Sequence, residues 1–216
     1  MKTILITSQK GGSGKTTLTA HLAVEAGREE QGEVFLIDTD KQATLTLWHQ
    51  RREAETPQRA DLPFSRIADG LKTLTERGAA YCFIDTAPTV SEQNTSLLRL
   101  ADLVVIPVRP SPADLWSVAE TVRLVKESGQ PFLFVITQAK PQATITAQTI
   151  AALSEHGQVA KSFISDRVSY ASAMTGGRTA PELQPRSPAA DEIKGLWHDM
   201  KSLFNENMNS RRAAHG

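Results

Sequence analysis

Short β-branched apolar runs alternate along the chain with longer segments whose apolar residues recur every three or four positions. The runs near 2–7, 33–38, 81–85, 103–107, 131–136 and 160–164 predict strands, and the segments near 15–30, 44–54, 65–77, 92–100, 114–128, 145–156 and 188–206 predict helices. Alternation of this kind argues for an α/β fold: a mainly parallel, twisted sheet flanked by helices on both faces and joined by right-handed crossovers. Pro57 to Pro63 and Thr175 to Pro188 are rich in proline, glycine and polar residues and are expected to be exposed loops. No internal repeat interrupts the pattern, so residues 1–206 are expected to form one domain, followed by a polar, flexible tail over 207–216.

The first strand runs into Ser8-Gln9-Lys10-Gly11-Gly12-Ser13-Gly14-Lys15-Thr16-Thr17, and a helical pattern follows at once. The spacing Gly-x-x-x-x-Gly-Lys-Thr fails in its strict form because Gln9 occupies the first glycine position. The parts that the chemistry needs are nevertheless present. Three glycines allow backbone N–H groups of residues 10–17 to converge on phosphate oxygens, and the helix adds its positive N-terminal end. Lys15 is placed to reach the β- and γ-phosphates and the Thr16 hydroxyl to bind Mg²⁺. A strand-to-helix turn also uses glycine, but the order of strand, glycines, lysine, threonines and helix makes this a P-loop nucleotide-binding sequence.

Composition narrows the picture. With 24 Lys and Arg against 24 Asp and Glu, global charge gives no reason to expect nucleic acid, so DNA affinity requires a local patch. The single cysteine, Cys82, lies in an apolar run and reads as a buried structural thiol. No signal-peptide pattern and no run of 18 apolar residues occurs, which leads to the expectation of a soluble, cytoplasmic protein.

Two further strands end in acids. Val34-Phe35-Leu36-Ile37 leads into Asp38-Thr39-Asp40, and Tyr81-Cys82-Phe83-Ile84 into Asp85-Thr86-Ala87-Pro88. Ligands of open α/β sheets bind at such carboxyl ends, although strand-ending aspartates also serve as turn formers and caps. Asp85 has the apolar strand that a Walker B acid requires, where it can hold magnesium through water.

The loop Lys-Gly-Gly-x-Gly-Lys-Thr-Thr resembles the deviant Walker A loop of the ParA/MinD family of ATPases. Asp38-Thr39-Asp40-Lys41-Gln42 is similar to that family's Asp-x-Asp-Pro-Gln, and Pro110-Ser111-Pro112-Ala113-Asp114 resembles its small ParA-type members without an N-terminal DNA-binding extension. The resemblance implies that Asp38 belongs to the Mg²⁺ shell, that Asp40 orients the attacking water, and that residues 86–96 sense the γ-phosphate. Lys10 would reach the nucleotide of a facing subunit in an ATP-bound sandwich dimer, acting much as an arginine finger does. Lys41 stands where the family has proline; greater mobility and an added cation are both open consequences. The proline-rich segment is implied in the dimer, with Asp114 also suited to cap a helix and Trp116 equally suited to core or interface. For the base, Gln138 is the one candidate, and ATP rather than GTP rests on the resemblance.

The function implied is ATP hydrolysis to ADP and phosphate, weak alone and stimulated by a ParB-like or other adaptor, in an ATP-dependent homodimer that binds DNA nonspecifically. Such a protein is nucleoid-associated and segregates plasmid, chromosome or protein cargo. Candidate DNA contacts are Arg167, Arg178, Arg186, Lys194, Lys201, Arg211 and Arg212, with an internal salt bridge the alternative for Arg167. A MinD-like membrane ATPase would instead use the stripe Ile193, Leu196, Trp197, Met200, Leu203 and Phe204, but a last core helix packed on the sheet explains that spacing better and the tail after it is polar, so a membrane partner is not favoured. A small-molecule ATP-dependent enzyme would share the fold, but no substrate motif is visible; a nitrogenase-type reductase needs more cysteines than one.

Overall fold

The computed structural model describes residues 1–89, 91–140 and 142–213, with side chains described as far as Glu206. Strands β1 (Lys2–Ile6), β2 (Val34–Asp38), β3 (Gln58–Arg59), β4 (Tyr81–Asp85), β5 (Leu103–Val108) and β6 (Phe132–Ile136) form one sheet in the order β3-β2-β4-β1-β5-β6. Every pairing is parallel. The strand runs are apolar nearly throughout because both faces are covered. Ile4, Ile6, Leu36, Phe83 and Val105 face one core, while Leu5, Phe35, Ile37, Ile84 and Val104 face the other.

The first core is covered by α1 (Lys15–Glu29), α2 (Thr44–Gln50), α7 (Val168–Thr175), α8 (Ala180–Leu183) and α9 (Pro188–Ala213); the second by α3 (Ile67–Glu76), α4 (Glu92–Leu98), α5 (Pro112–Ser128) and α6 (Thr144–Ser154). Local chemistry sets the helix ends. Ser111 caps α5 by accepting the Asp114 N–H at 3.2 Å, Pro112 opens the first turn, and Gly129 at φ 71° closes the last.

The apolar stripe of α9 is core: Ile193, Leu196, Trp197, Met200, Leu203 and Phe204 are all buried, with Trp197 edge-on to Tyr81 at 5.0 Å. That face is used in packing and does not lie open to a membrane, and no helix among the described residues is long and apolar enough to cross one. The helix also continues past Glu206 to Ala213, over a stretch with neither glycine nor proline to stop it, so its end falls beyond the boundary expected near 206. Residues 214–216 lie outside the described residues.

Three other expectations change. The segment Pro57 to Pro63 contains β3, which adds an edge to β2 through the Ala60 N–H to Leu36 carbonyl bond at 2.9 Å. The segment 160–164 is no strand: isolated bridges from Val159 to Phe134 and from Ser165 to Ala139 flank it, and between them the Ser162 N–H is taken by Asp199 Oδ2 at 2.8 Å. The segment Thr175 to Pro188 is not a plain exposed loop either. It holds α8, whose Thr179 and Glu182 form a reciprocal capping box and whose Ala180 and Pro181 are buried. Cys82 is buried and unpaired as expected, its thiol pushed up to about 12 by desolvation.

His21 joins α1 to α8 inside the first core. Its Nδ1–H donates to the Thr17 carbonyl at 2.8 Å, its Nε2 accepts the Ala180 N–H at 3.0 Å, and its ring meets Tyr170 edge-on at 5.1 Å. Both nitrogens are committed in the neutral form, and burial lowers the pKa to about 4. The unfolded chain therefore binds the proton first as pH falls, and stability present above pH ~6.5 is lost as pH falls toward ~4, by roughly 3 kcal/mol. Buried Asp85, whose pKa is raised to about 7, contributes in the opposite sense over the same window, so the difference between proteins is the test. The melting temperature of the wild type relative to His21→Gln should fall as pH drops from ~6.5 toward ~4, and a constant difference would remove His21 as a source.

Candidate functional site

The loop between β1 and α1 is shaped by two left-handed glycines, Gly12 at φ 72° and Gly14 at φ 90°. Helix α1 begins on Gly14 with no side-chain cap and no acid in its first turn, which leaves its N-terminal N–H groups without the partners a soluble helix usually recruits. Beneath the loop, the Ser13 Oγ is buried without a hydrogen-bond partner. The Lys15 ammonium is buried as well and donates to the Lys10 carbonyl at 3.1 Å; burial lowers its pKa while Asp85 and Asp40 oppose the shift. Unpaired donors, an orphaned hydroxyl and a desolvated cation converge here, and a polyphosphate supplies what each lacks.

The end of β6 braces this loop from behind. Thr137 Oγ1 donates to the Ser13 carbonyl at 2.8 Å, and Gln138 Nε2 donates to the Gly12 carbonyl at 2.7 Å from a residue itself at φ 50°. Gln138, a candidate for the base, thus spends its amide N–H on the loop.

Parallel register brings the acids together. Asp38 on β2 stands directly beside Asp85 on β4, and Asp85 beside Ile6, the last residue of β1. Asp85 is 1% exposed and accepts the hydroxyls of Thr16 at 2.6 Å and Thr19 at 3.3 Å. Burial raises its pKa to about 7, with the Asp38 charge adding to the rise and the Thr16 hydrogen bond opposing it. Asp38 accepts the Thr46 N–H at 2.8 Å, the Thr46 hydroxyl at 2.9 Å and the Asp40 N–H at 3.1 Å. The Asp40 carboxylate folds its own turn by accepting the Gln42 N–H at 3.0 Å, and Ala43 then adopts φ 52° to start α2. Lys41 is exposed on that turn. One hydroxyl, from Thr16, and the carboxylates of Asp38 and Asp85 make an all-oxygen donor set suited to Mg²⁺, which usually takes one or two protein carboxylates together with substrate phosphates.

Beside the loop lies a cavity of about 180 Å³ whose walls include Gly14, Thr17, Thr137, Gln138, Asp166 and Arg167. Its position next to the phosphate loop suits a base and sugar. Asp166 had no assigned part in the sequence reading; only its place beside the Arg167-to-Ala173 pattern could have drawn attention to it. Arg167 is ion-paired in the fold, with Nε and Nη2 at 3.0 and 2.8 Å from Glu192, which also accepts Tyr170 Oη at 2.6 Å and Ser165 Oγ at 2.7 Å.

The remaining basic residues are dispersed. Lys201 bridges Glu29 and Glu30 at 3.0 Å each, at the far end of α1 from the cavity that Arg167 lines, a helix length of roughly 20 Å away. Arg178 pairs with Glu53 at 3.4 Å, Lys194 is half-buried on α9 and Arg186 is exposed. The side chains of Arg211 and Arg212 lie outside the described residues. Trp116, open to core or interface on sequence, is a surface residue at 80% exposure.

A parallel sheet with a glycine-rich loop on its central strand, a buried lysine and two strand-end acids around that loop define a P-loop nucleotide-binding protein. The chain belongs to the CobQ/CobB/MinD/ParA nucleotide binding domain family, which it matches over residues 4–180. It is 27% identical over 208 residues to maintenance of carboxysome distribution protein A of Halothiobacillus neapolitanus, across 92% of this chain and 95% of that protein. To protein ParA of Rhizobium radiobacter it is 29% identical over 131 residues, across 59% of this chain and 57% of that protein. In fold it is similar to a Cyanothece McdA variant in complex with ATP (TM-score 0.77, 20% identity, 94% of this chain and 96% of that one). It is similar also to the cell division ATPase MinD of Pyrococcus furiosus (TM-score 0.76, 20% identity, 94% and 99%).

Thr137→Val tests the brace. It keeps the shape of the side chain and leaves the buried Ser13 carbonyl without this hydroxyl, at a cost of about 1–3 kcal/mol. A lower melting temperature together with weaker nucleotide binding by titration is expected; an unchanged affinity would show that the loop does not need this support.

Proposed function

We infer that the protein is an ATPase of the positioning and partition type: it dimerises on ATP, binds DNA nonspecifically, and hydrolyses ATP weakly until an adaptor stimulates it. The observation that carries this reading is the pair of lysines in one loop. Lys15 is turned inward and buried, so the loop already has its phosphate-facing cation, and Lys10 needs another target. A nucleotide in a facing subunit provides one.

In this reading the N–H groups of Gly11, Gly12, Ser13, Gly14, Lys15, Thr16 and Thr17 hold the phosphate chain, with the Lys15 ammonium against it. Thr16, Asp38 and Asp85 would hold Mg²⁺, which when bound offsets charge developing on the γ-phosphate. Asp40 orients water from the turn beside that shell, and Asp38, fixed by Thr46, holds the turn in place. Residues 86–96 follow Asp85 directly and report the state of the site, with Asn94 Nδ2 donating to the carbonyls of Ala87 at 3.2 Å and Thr89 at 2.7 Å to keep the segment folded. The exposed Trp116 and the proline-rich segment before it belong to the dimer face.

Similarity over nearly the whole length of a carboxysome distribution protein supports a cargo-positioning role. Arg178, Arg186 and Lys194, with Arg211 and Arg212, remain the candidate DNA contacts, and a cytoplasmic, nucleoid-associated location follows from them. Arg167 and Lys201 are weaker candidates because acids of the same chain already hold them.

Two variants test this function. Asp40→Asn should lower turnover at least about 100-fold, in the range of a lost acid–base or water-positioning group, while ATP binding stays within a few-fold. Lys10→Ala should abolish ATP-dependent dimers and DNA binding, read by light scattering and by retention on nonspecific duplex DNA. Turnover indifferent to DNA and to Lys10 would sink the partition reading.

A further inference from the structure

Arg109 follows β5 at the carboxyl edge of the sheet, and its guanidinium is held in a fixed orientation. Nε and Nη2 each lie 3.0 Å from an Asp114 oxygen, and the Arg109 N–H lies 3.2 Å from Oδ2 of the same carboxylate. Asp114 is 3% exposed and takes a further hydrogen bond from Ser111 Oγ at 3.0 Å. An arginine forked onto a buried carboxylate loses most of its freedom to turn.

The fork uses two of the three guanidinium nitrogens. The third, Nη1, is directed at the phosphate loop, 3.6 Å from the point where a Cβ on Gly12 would stand. It approaches along the side-chain direction of an exposed glycine, so it flanks the loop instead of filling the cradle of N–H groups. Lys10 is on the same flank: it lines a small space together with Val108 and Asp114, the neighbours of Arg109. Arg109 therefore borders the exposed edge of the loop at Gly12, Lys10 opens the same loop two residues earlier, and a third cation, Lys15, is buried behind it.

The geometry assigns Arg109 a contact across the dimer: its free Nη1 binds the polyphosphate held in the loop of the facing subunit, alongside the Lys10 of its own chain. This rests on the ATP-dependent dimer inferred above. The electrostatics make the contact conditional. Two copies that meet at this edge bring like charges together, and a twofold interface does so twice. Polyphosphate between the faces turns that repulsion into attraction, and the preset fork lets the arginine make its hydrogen bonds with little further ordering. Asp114 is the positioning residue; Arg109 is the one that touches the anion.

Sedimentation velocity of the full chain with Mg²⁺ and ADP or ATP, on wild type, Arg109→Ala and Arg109→Lys, tests the assignment. Arg109→Ala should weaken the ATP dimer at least about tenfold, the loss of one charge-assisted hydrogen bond per subunit, while monomer affinity for ADP stays within about twofold. Arg109→Lys should recover part of the dimer, because it keeps the charge and loses the fork. If Arg109→Ala melts too early to measure, Arg109→Gln keeps a donor for Asp114 without the charge, and the same loss is expected. Dimers as tight as wild type in the neutral variants would overturn the assignment and leave the partition reading standing. An equal loss of ADP affinity in the monomer would overturn it in favour of a contact within one subunit. A wild type that stays monomeric with ATP would remove the dimer and this contact together.

Discussion

The Thr16 hydroxyl closes on Asp85 at 2.6 Å, with the Thr19 hydroxyl, which donates to the Lys15 carbonyl at 2.9 Å, standing 3.3 Å from the other carboxylate oxygen. Through the Thr16 bond the first turns of α1 are held against the strand that carries the acid. The remaining parts take their places from it. Asp38 reaches the site because β2 is in register with β4, Thr39 continues the ladder by donating its N–H and hydroxyl to the Asp85 carbonyl at 3.0 and 2.8 Å, and the Asp40 turn starts from there. Burial raises the pKa of the Asp85 carboxylate to about 7, against the Thr16 hydrogen bond and the Lys15 charge, and Asp38 adds to the rise, so a cation at this point would be strongly favoured. Desolvation weakens the Lys15 charge in the complementary way. Each charge offsets part of the other's desolvation, and a bound anion with its cation would offset more.

Behind the loop, the carboxyl-terminal part of the chain acts as its scaffold. Thr137 and Gln138 hold the loop carbonyls, His21 links α1 to α8, and Glu192 gathers Tyr170, Ser165 and Arg167 along the cavity wall. A second set of contacts ties the acid turn to the same scaffold. Helix α2 begins at the end of the Asp40 turn, and its far end is fixed by Trp48 Nε1 to the Arg178 carbonyl at 3.1 Å and by Arg52 forked onto Glu182 at 2.6 and 3.0 Å. The Arg52 side chain is 3% exposed, and breaking a buried pair of this kind typically costs about 3–5 kcal/mol. Gly177 shows how closely the elements meet, since a Cβ there would stand 2.4 Å from the Arg51 backbone. Contacts thus run without a break from the Asp40 turn through α2 to α8, and from α8 through His21 to α1.

What could be read in the sequence was what lies contiguous in it. The phosphate loop, Asp38 with Asp40, and Asp85 are each a run of neighbours at the end of an apolar strand, and a parallel sheet converts such ends into one site without further information. The brace from Gln138 joins residues far apart in sequence, and the clamp of Arg109 onto Asp114, though only five residues long, sits where an arginine has no local signature. Strand β3 has two residues and owes its existence to the edge of β2. Helix α8 is a different case: Thr179-Ala180-Pro181-Glu182 carries the capping box and an early proline, and the surrounding glycine and proline residues outweighed that signal. The α9 stripe was ambiguous for a physical reason, because a helix facing a core and one facing a membrane surface need the same periodicity.

The charge distribution links the scaffold to the function. Formal charges cancel over the whole chain, so no long-range field draws one copy toward another or toward DNA. What the fold does instead is collect three cations around one loop: Arg109 beside its exposed edge and forked onto the buried Asp114, Lys10 within the loop, and Lys15 buried behind it. Over distances shorter than the Debye length of about 8 Å, this local excess is unscreened. In the dimer proposed above, facing copies of it would repel until each loop contains polyphosphate, after which the same residues would attract. Gly11 and Gly12 would permit the close approach in that dimer, because no side chain there would separate the cations of one copy from the anion in the other. A loop that must bind an anion inside and present cations outside has little choice but to be built from glycine and lysine.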